Sequence, residues 1–192
     1  YTGMRIAEVV GLTWEDIDLE KRIIKVNHVI NNIDGQFVIG PPKTNSSYRE
    51  IDFGQTLYNL LVKWKAAQNE NMELLGPRYI KQYLIENNVI YEDIFDHPNR
   101  LDLINTKPNG EMLTINSFKY ASRVINYELG IDFSFHYLRH THATMLIDNG
   151  APIKAVSERL GHGSVKTTLE TYTHVTSKMQ NNTVEIFENL AT

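Results

Sequence analysis

Leu160-Gly161-His162-Gly163-Ser164-Val165-Lys166-Thr167-Thr168-Leu169-Glu170-Thr171-Tyr172-Thr173-His174-Val175 is the stretch from which the fold is read. Leu160-Gly161 ends one helix, a tight turn follows, and a short second helix begins that carries Tyr172. Working back, Pro152 sits in the first turn of the helix that ends there, and Ile153, Val156 and Leu160 face its core. Before it, Ser134 caps a helix that runs to about Asp148 and stops at Asn149-Gly150. Leu138, Met145 and Leu146 form its packed side, while His136 and Arg139, three apart, share a face. Thr114 caps an amphipathic helix to Leu129, with Phe118, Ala121, Val124 and Ile125 inward and Gly130 at its end. Val184, Ile186, Phe187 and Leu190 mark a last amphipathic helix. The C-terminal half is therefore helical.

The N-terminal half mixes periods. Ile6, Val9, Val10 and Leu12 give a short helix an apolar side that Gly11 closes. Three β-rich runs follow, at 22–30, 36–39 and 47–53, the first two joined through Asn31-Asn32-Ile33-Asp34-Gly35, whose Asp-Gly is a hairpin signal. Gly40-Pro41-Pro42-Lys43-Thr44-Asn45-Ser46 links the second run to the third and places Lys43 on a second hairpin. A helix is expected over 55–71, with Leu57, Leu60, Leu61 and Trp64 on one side, and a shorter helical piece over 78–86. Residues 88–111 are acidic and weakly patterned, with a short strand near Ile94-Phe95. The fold class is α+β, mainly helical, with helices around a small three-stranded antiparallel sheet.

A chain of 192 residues with 42 % hydrophobic and 22 % charged residues is long enough for one domain with a sizeable core. No apolar run approaches the roughly 18 residues of a membrane span, and no signal peptide opens the chain. Zero cysteines exclude disulfides and thiolate chemistry. A soluble intracellular domain is the expectation. The net charge of −4 argues against a polyanionic partner only until its distribution is considered. The whole acidic excess lies in 66–111, with four basic and eight acidic residues; the flanking segments are balanced. Charge acts over about a Debye length, so another face can stay locally positive.

Several polar groups fall beside element ends or turns: Arg5, Lys43, His136, Arg139, His162 and Tyr172. Arginine forks match phosphate oxygens, and each preorganised donor facing a phosphoryl transition state is worth about 3 kcal/mol. Ionising a tyrosine at pH 7 costs roughly 4 kcal/mol, so it needs a base or a positive field. Histidine supplies the first and arginine the second. Blander readings stand beside these. Arg5 and Glu8, three apart, form an exposed ion pair; Lys43 is a solvated turn lysine; and the i, i+4 pair His136 and His140, with His142, holds a metal in a phosphohydrolase.

Thr2-Gly3-Met4-Arg5-Ile6-Ala7-Glu8, Pro42-Lys43-Thr44-Asn45-Ser46-Ser47-Tyr48-Arg49, His136-Tyr137-Leu138-Arg139-His140-Thr141-His142-Ala143-Thr144 and the opening stretch resemble, in order, the signature boxes of tyrosine recombinases of the phage and transposon integrase type. The resemblance covers essentially the whole chain as the family's C-terminal catalytic domain, 1–175, with a helical tail at 176–192. It implies that Tyr172 attacks the scissile phosphate, giving a 3′-phosphotyrosyl intermediate and a free 5′-hydroxyl. Arg5 and Arg139 then neutralise the phosphate, His162 hydrogen-bonds it, and His136 is the acid/base histidine. Lys43 protonates the 5′-oxygen, and Glu8 orders the site. Arg49 and Ser47 touch the DNA backbone or position the turn. Tyr137 stands where many relatives carry an acidic residue, a tolerated variation. Neither metal nor ATP is implied, because the intermediate conserves the phosphodiester energy.

The resemblance further implies a double-stranded DNA recombination site as partner and a homotetramer on DNA joined through the tail. It adds accessory DNA-bending proteins, no membrane, and a place in the bacterial cytoplasm at the nucleoid. The family's N-terminal core-binding domain and a leading helix are expected to precede Tyr1. Two alternatives share the residues: a type IB topoisomerase-like nicking-closing enzyme and a non-catalytic DNA-binding regulator.

Overall fold

The computed structural model describes residues 1–171. Tyr172, His174 and the tail helix expected at 184–190 lie outside the described residues. The first helix, α1 (Ile6–Val10), starts on a cap in which the Glu8 carboxylate accepts the Arg5 backbone N–H at 2.8 Å. Such a contact satisfies a donor that a helix start leaves unpaired. Gly11 closes the helix, as expected, where a Cβ would stand 3.2 Å from the Ile30 nitrogen.

Five short strands follow: β1 (Ile17–Asp18), β2 (Ile23–Val26), β3 (Val29–Ile33), β4 (Gln36–Gly40) and β5 (Arg49–Asp52). A three-stranded antiparallel sheet is present, in the order β1-β2-β5, with Ile24 opposite both Ile17 and Ile51. Its membership differs from the sequence expectation. The 22–30 run is broken at Asn27-His28, and the 36–39 run leaves the sheet to form a separate hairpin with β3. That hairpin turns at Asp34-Gly35, with φ of 50° and 86°, the backbone a two-residue primed turn requires. Lys43 accordingly lies on the link between two sheets and not on a hairpin.

Asp16 explains the break. Its carboxylate is buried and accepts the Thr13 backbone N–H at 2.9 Å, the Thr13 hydroxyl at 2.8 Å and the Asn27 amide at 3.3 Å. His28 Nε2 lies 3.1 Å from the same carboxylate without a well-directed hydrogen bond. A buried carboxylate has to be paired, so Asn27 and His28 turn toward it and leave the ladder. Burial opposes charge on both groups. It is outweighed for Asp16 by the nearby His28 imidazole and the bonds from Thr13, which lower its pKa, and for His28 by Asp16, which raises the imidazole above its ordinary 6.5. The signs set a window. The His28 contribution is fully present below pH 6.5 and fades as pH rises through the elevated folded pKa, while the Asp16 contribution fades as pH falls below 3.8. His28→Gln is therefore expected to destabilise the protein at pH 5.5 and to cost much less above the elevated pKa. Urea unfolding of both proteins across that range measures it, and a pH-independent difference would contradict the ion pair.

Helix α2 (Gln55–Leu75) extends one turn beyond expectation. Leu61 and Gln68 are its buried residues; Leu60, placed on the packed side by periodicity, is exposed. Gln68 takes the inward position because the amide bridges: its oxygen accepts the Trp14 indole N–H at 2.8 Å, and its nitrogen donates to the Ile104 carbonyl at 2.9 Å. The expected helix at 78–86 is instead the strand β6 (Lys81–Leu84), central between β7 (Ile90–Asp93) and β8 (Arg100–Leu101). Tyr83 opposite Tyr91 and Leu84 opposite Ile90 show the cross-strand packing that overrides the local pattern. The strand expected near Ile94-Phe95 ends just before them, because the Asp93 carboxylate takes the Ile94 N–H at 2.7 Å.

The rest is helical, as expected. Helix α3 (Ser117–Arg123) starts later than Thr114 and passes into a wider turn over Val124–Glu128 before Gly130, with Ala121 exposed. Helices α4 (Phe135–Asp148) and α5 (Ile153–Leu160) agree with the periodicity in extent, and α6 (Val165–Thr171) begins where the second helix after the turn is expected. The core shared by α4 and α5 is Ala143, Ile147, Val156 and Leu160. Leu138 and Met145, expected to pack, are 54 % and 61 % exposed, because Arg139, Ala143 and Ile147 occupy the inward row of α4. A second core, centred on Met4, Ile24, Val26 and Ile51, sets α1 against the sheet. Among the described residues no helix is long and apolar enough to cross a membrane.

Candidate active site

The site forms where α1, the loop before β5, α4 and the α5–α6 turn meet. Gly161 supplies the turn with φ of 69° and ψ of 44°, a left-handed conformation that glycine adopts without a Cβ clash. Space demands glycine as well: a Cβ there would stand 3.0 Å from both Arg49 Nη1 and the Ser46 carbonyl. The turn leaves the carbonyls of Leu160 and Gly161 available, and two arginines take them. Arg139 Nη2 donates to the Leu160 carbonyl at 2.6 Å, and Arg5 Nη2 to the Gly161 carbonyl at 3.2 Å.

The two arginines differ in environment. Arg139 is 4 % exposed and also donates from Nη1 to the Gly3 carbonyl at 2.7 Å. Gly3 makes that approach possible, with φ of +70° and a backbone so close that a Cβ would sit 2.6 Å from the His142 ring. Arg5 is more open, and its second anchor is Glu8, whose Oε1 accepts from Nη1 at 2.8 Å. Anchored at their terminal nitrogens, both side chains lose the rotamer freedom that a flexible cation would have to surrender on binding an anion.

Glu8 is the hub. Its side chain is fully buried, yet each oxygen accepts two hydrogen bonds, from Arg5 Nη1 and Arg49 Nη1 on one side and the Arg5 backbone N–H and Arg49 Nη2 on the other. Burial pushes its pKa up, but the bonds and charge of Arg49, then those of Arg5, outweigh it and hold the carboxylate below its ordinary 4.5. The exposed ion pair that i, i+3 spacing allows is thus an inward one on its acidic side.

Arg49 and Ser47 are placed differently from a DNA-facing pair. The Arg49 side chain is 6 % exposed and donates to Glu8, to the Ser47 carbonyl at 2.9 Å and, through Nε, to the Arg159 carbonyl at 2.7 Å. Ser47 is buried, its hydroxyl 2.9 Å from that of Thr44. Arg49 ties the loop to the end of α5, and Ser47 braces the loop from within. Lys43 is exposed on the same loop.

His162 follows Gly161 directly. Burial first, and then the Arg139, Arg5 and Arg49 charges, push its pKa down to about 4. His136, on the first turn of α4, is also pushed below 6.5, by burial and then by His140 and the same Arg139 and Arg5. Its ring meets that of His140 edge-on at 4.6 Å. Both histidines are therefore neutral at pH 7 beside fixed positive charge. His142 is lowered to about 4 by burial and Arg159, whose Nε donates to its Nε2 at 3.2 Å. Among the described residues no group of three or more His, Cys, Asp or Glu is arranged to hold a metal.

The structure thus brings Arg5, Glu8, Arg139 and His162 together at one turn, with His136 within reach of the same charges and the Lys43 loop packed alongside. Tyr172 lies outside the described residues. Two participants had no signal in the sequence. Arg159 anchors His142, and Thr168, wholly buried on α6, stands 2.7 Å from His162 Nδ1. Chemically, the cradle presents fixed cations and neutral imidazoles, which suits binding a singly charged phosphodiester and neutralising the charge it gains in a transition state.

The profile of the phage integrase family matches residues 1–179. Among curated proteins, the chain is 34 % identical over 194 residues to the ICEBs1 integrase of Bacillus subtilis strain 168, covering 98 % of this chain and 46 % of that protein. It is 30 % identical over 192 residues to the integrase of Staphylococcus phage L54a, covering 98 % and 49 %. Among solved structures, the Tn1549 transposon integrase in complex with transposon right end DNA superposes with a TM-score of 0.67 at 25 % identity, over 89 % of this chain and 50 % of that one. The XerA recombinase shares the fold, with a TM-score of 0.59 at 20 % identity over 95 % of this chain and 54 % of that one. The chain spans about half the length of the curated relatives it matches.

Proposed function

The chain belongs to the phage integrase family, and from that premise we propose that it carries the catalytic part of a site-specific DNA recombinase that cuts and rejoins strands through a 3′-phosphotyrosyl intermediate. The observation that carries this reading is the pair of arginines anchored on the adjacent carbonyls of Leu160 and Gly161, beside His162. Anchoring fixes two guanidinium groups before substrate arrives, so little reorganisation remains at the moment of reaction.

In the reaction, the Tyr172 hydroxyl attacks the scissile phosphorus and the bond to the 5′-oxygen breaks. Arg5 and Arg139 neutralise the non-bridging oxygens, and His162 donates a hydrogen bond to one of them. His136, neutral at pH 7, accepts the tyrosine proton. Lys43, exposed on its loop, gives a proton to the departing 5′-oxygen. Glu8 holds Arg5 in place. Attack by another strand's 5′-hydroxyl reverses these steps, and the phosphotyrosyl bond keeps the energy of the diester. Neither a metal nor ATP enters the scheme.

Residues 1–175 form the catalytic unit in this reading and 176–192 a tail that joins protomers in a tetramer on DNA. The partner is a double-stranded recombination site, with DNA-bending proteins as accessories and the bacterial nucleoid as the place of action. The Tn1549 integrase, similar over 89 % of this chain, was solved with transposon end DNA, which supports a DNA partner.

A nicked suicide duplex, which loses the short strand after cleavage, tests the chemistry. The full-length protein is expected to accumulate a covalent DNA adduct that peptide mapping places on Tyr172, and the released 5′-hydroxyl end of a second duplex is expected to capture it. An adduct that persists in Tyr172→Phe would sink the assignment. Capture only of the parent strand would favour a nicking-closing enzyme.

A further inference from the structure

We propose that Thr168 is a positioning residue that fixes the tautomer of His162, so that Nε2 carries the proton and faces the phosphate. The inference rests on the reading of His162 as a phosphate donor. Thr168 is 0 % exposed, while Lys166, Thr167, Leu169 and Glu170 around it on α6 are exposed. Burying a threonine in preference to the adjacent Leu169 costs free energy unless its hydroxyl is bonded. That bond is to His162: Thr168 Oγ1 lies 2.7 Å from Nδ1.

The protonation state gives the contact its meaning. His162 is held near pKa 4 by burial and three arginine charges, so it enters the reaction as a neutral ring with a single N–H. With the proton on Nδ1, the ring donates to Thr168 and turns a lone pair on Nε2 toward the phosphate, where it meets an acceptor-only oxygen and repels it. With the proton on Nε2, the Thr168 hydroxyl donates to Nδ1 and His162 donates to the phosphate. Only the second arrangement satisfies both contacts. The Thr168 hydroxyl can donate or accept, and by donating to Nδ1 it supports the one arrangement in which Nε2 carries the proton and both contacts are made.

The same bond has a mechanical consequence. Ten positions separate His162 from Tyr172 along the chain, which by itself leaves the tyrosine loosely related to the phosphate wall. Thr168 pins α6 to that wall, and only three residues of chain then intervene before Tyr172.

The full-length protein with Thr168→Val, Thr168→Ser, His162→Ala and Thr168→Val/His162→Ala decides the matter in single-turnover cleavage of the suicide duplex. Valine keeps the shape and removes the hydroxyl; serine keeps the hydroxyl. Thr168→Val is expected to slow cleavage by about 10- to 100-fold, the range seen when the outer partner of a functional histidine is lost. DNA affinity is expected to stay unchanged, and Thr168→Ser to recover cleavage to within a few-fold. The double variant is expected to be no slower than His162→Ala, because both remove one contact. A wild-type rate in Thr168→Val beside a slow His162→Ala overturns the proposal and leaves the phosphate role of His162 standing. A wild-type rate in His162→Ala overturns that role itself. Multiplicative losses in the double variant place Thr168 in some other task and overturn the proposal. Selective 15N-histidine NMR of the wild-type protein needs no variant: an Nδ1–H tautomer at His162 would overturn the proposal directly.

Discussion

Arg139→Ala is expected to lower strand cleavage by at least about 10³-fold, since it removes two donors from the transition state and each is worth about 10²- to 10³-fold. Duplex binding is expected to persist, because many backbone contacts share that affinity. The geometry adds a complication that the sequence did not reveal. Arg139 is nearly buried and satisfies the carbonyls of Gly3 and Leu160, so alanine also orphans two acceptors, at about 1–3 kcal/mol each. A dead alanine variant alone therefore would not separate chemistry from folding. Arg139→Lys does. It keeps the charge and one anchor but loses the planar fork, and cleavage is expected to fall by about 10²-fold or more with a smaller loss of stability. Urea unfolding alongside single-turnover cleavage measures both, and a lysine variant cleaving within tenfold of wild type would contradict the phosphate-clamp role.

Local signals carried the helical half of the molecule and failed where a buried polar group redirected the chain. Gly161, Asn149-Gly150 and Pro152 punctuate α4, α5 and α6 through backbone preferences that need no tertiary context. Asp16 acts differently. Nothing within the 22–30 run marks Asn27-His28 as a break; the cause is a carboxylate eleven residues earlier that collects both side chains. In the same way 78–86 reads as helical until Tyr83 and Leu84 find Tyr91 and Ile90 across a ladder. On α4, periodicity assigned the inward row to leucine and methionine. A buried arginine took it instead, because its partners are carbonyls on α5 and near the chain start.

For the site, residue type and order named candidate groups, and the structure supplied their partners. Arg5, Glu8, Arg139 and His162 come from three separated boxes, and no spacing rule could show that Leu160 and Gly161 would offer them adjacent anchors. For Arg49 the sequence left two readings open, a DNA-backbone contact and the positioning of the turn, and its bonds to Glu8 and to the Ser47 and Arg159 carbonyls favour the second. Thr168 had no signal, since a threonine on a short helix is ordinary until its hydroxyl is found against an imidazole.

Arg49→Ala is expected to be the most destabilising single change in the site, at about 3–5 kcal/mol, the cost of leaving a buried carboxylate short of a partner. Glu8 keeps two bonds from Arg5 but loses both from Arg49, and the Ser47 and Arg159 carbonyls lose their donor at the same time. The Lys43 loop is then no longer tied through Arg49 to the end of α5 or to Glu8 on α1, while the Arg5 bond to the Gly161 carbonyl remains. The linkage gives a sign as well. The depressed Glu8 pKa contributes stability that is fully present above pH 4.5 and is lost as pH falls through the folded value, so most of that acid dependence should vanish in Arg49→Ala. Removing both charges tests the electrostatic origin. Arg49→Met combined with Glu8→Gln is expected to be less destabilised than Arg49→Met alone, because the uncompensated charge is gone. A DNA-backbone contact predicts the reverse pattern: unchanged urea and acid stability, weaker duplex binding, and a salt dependence reduced by about one phosphate contact. That outcome would return Arg49 to the DNA face and leave the buried Glu8 without an account.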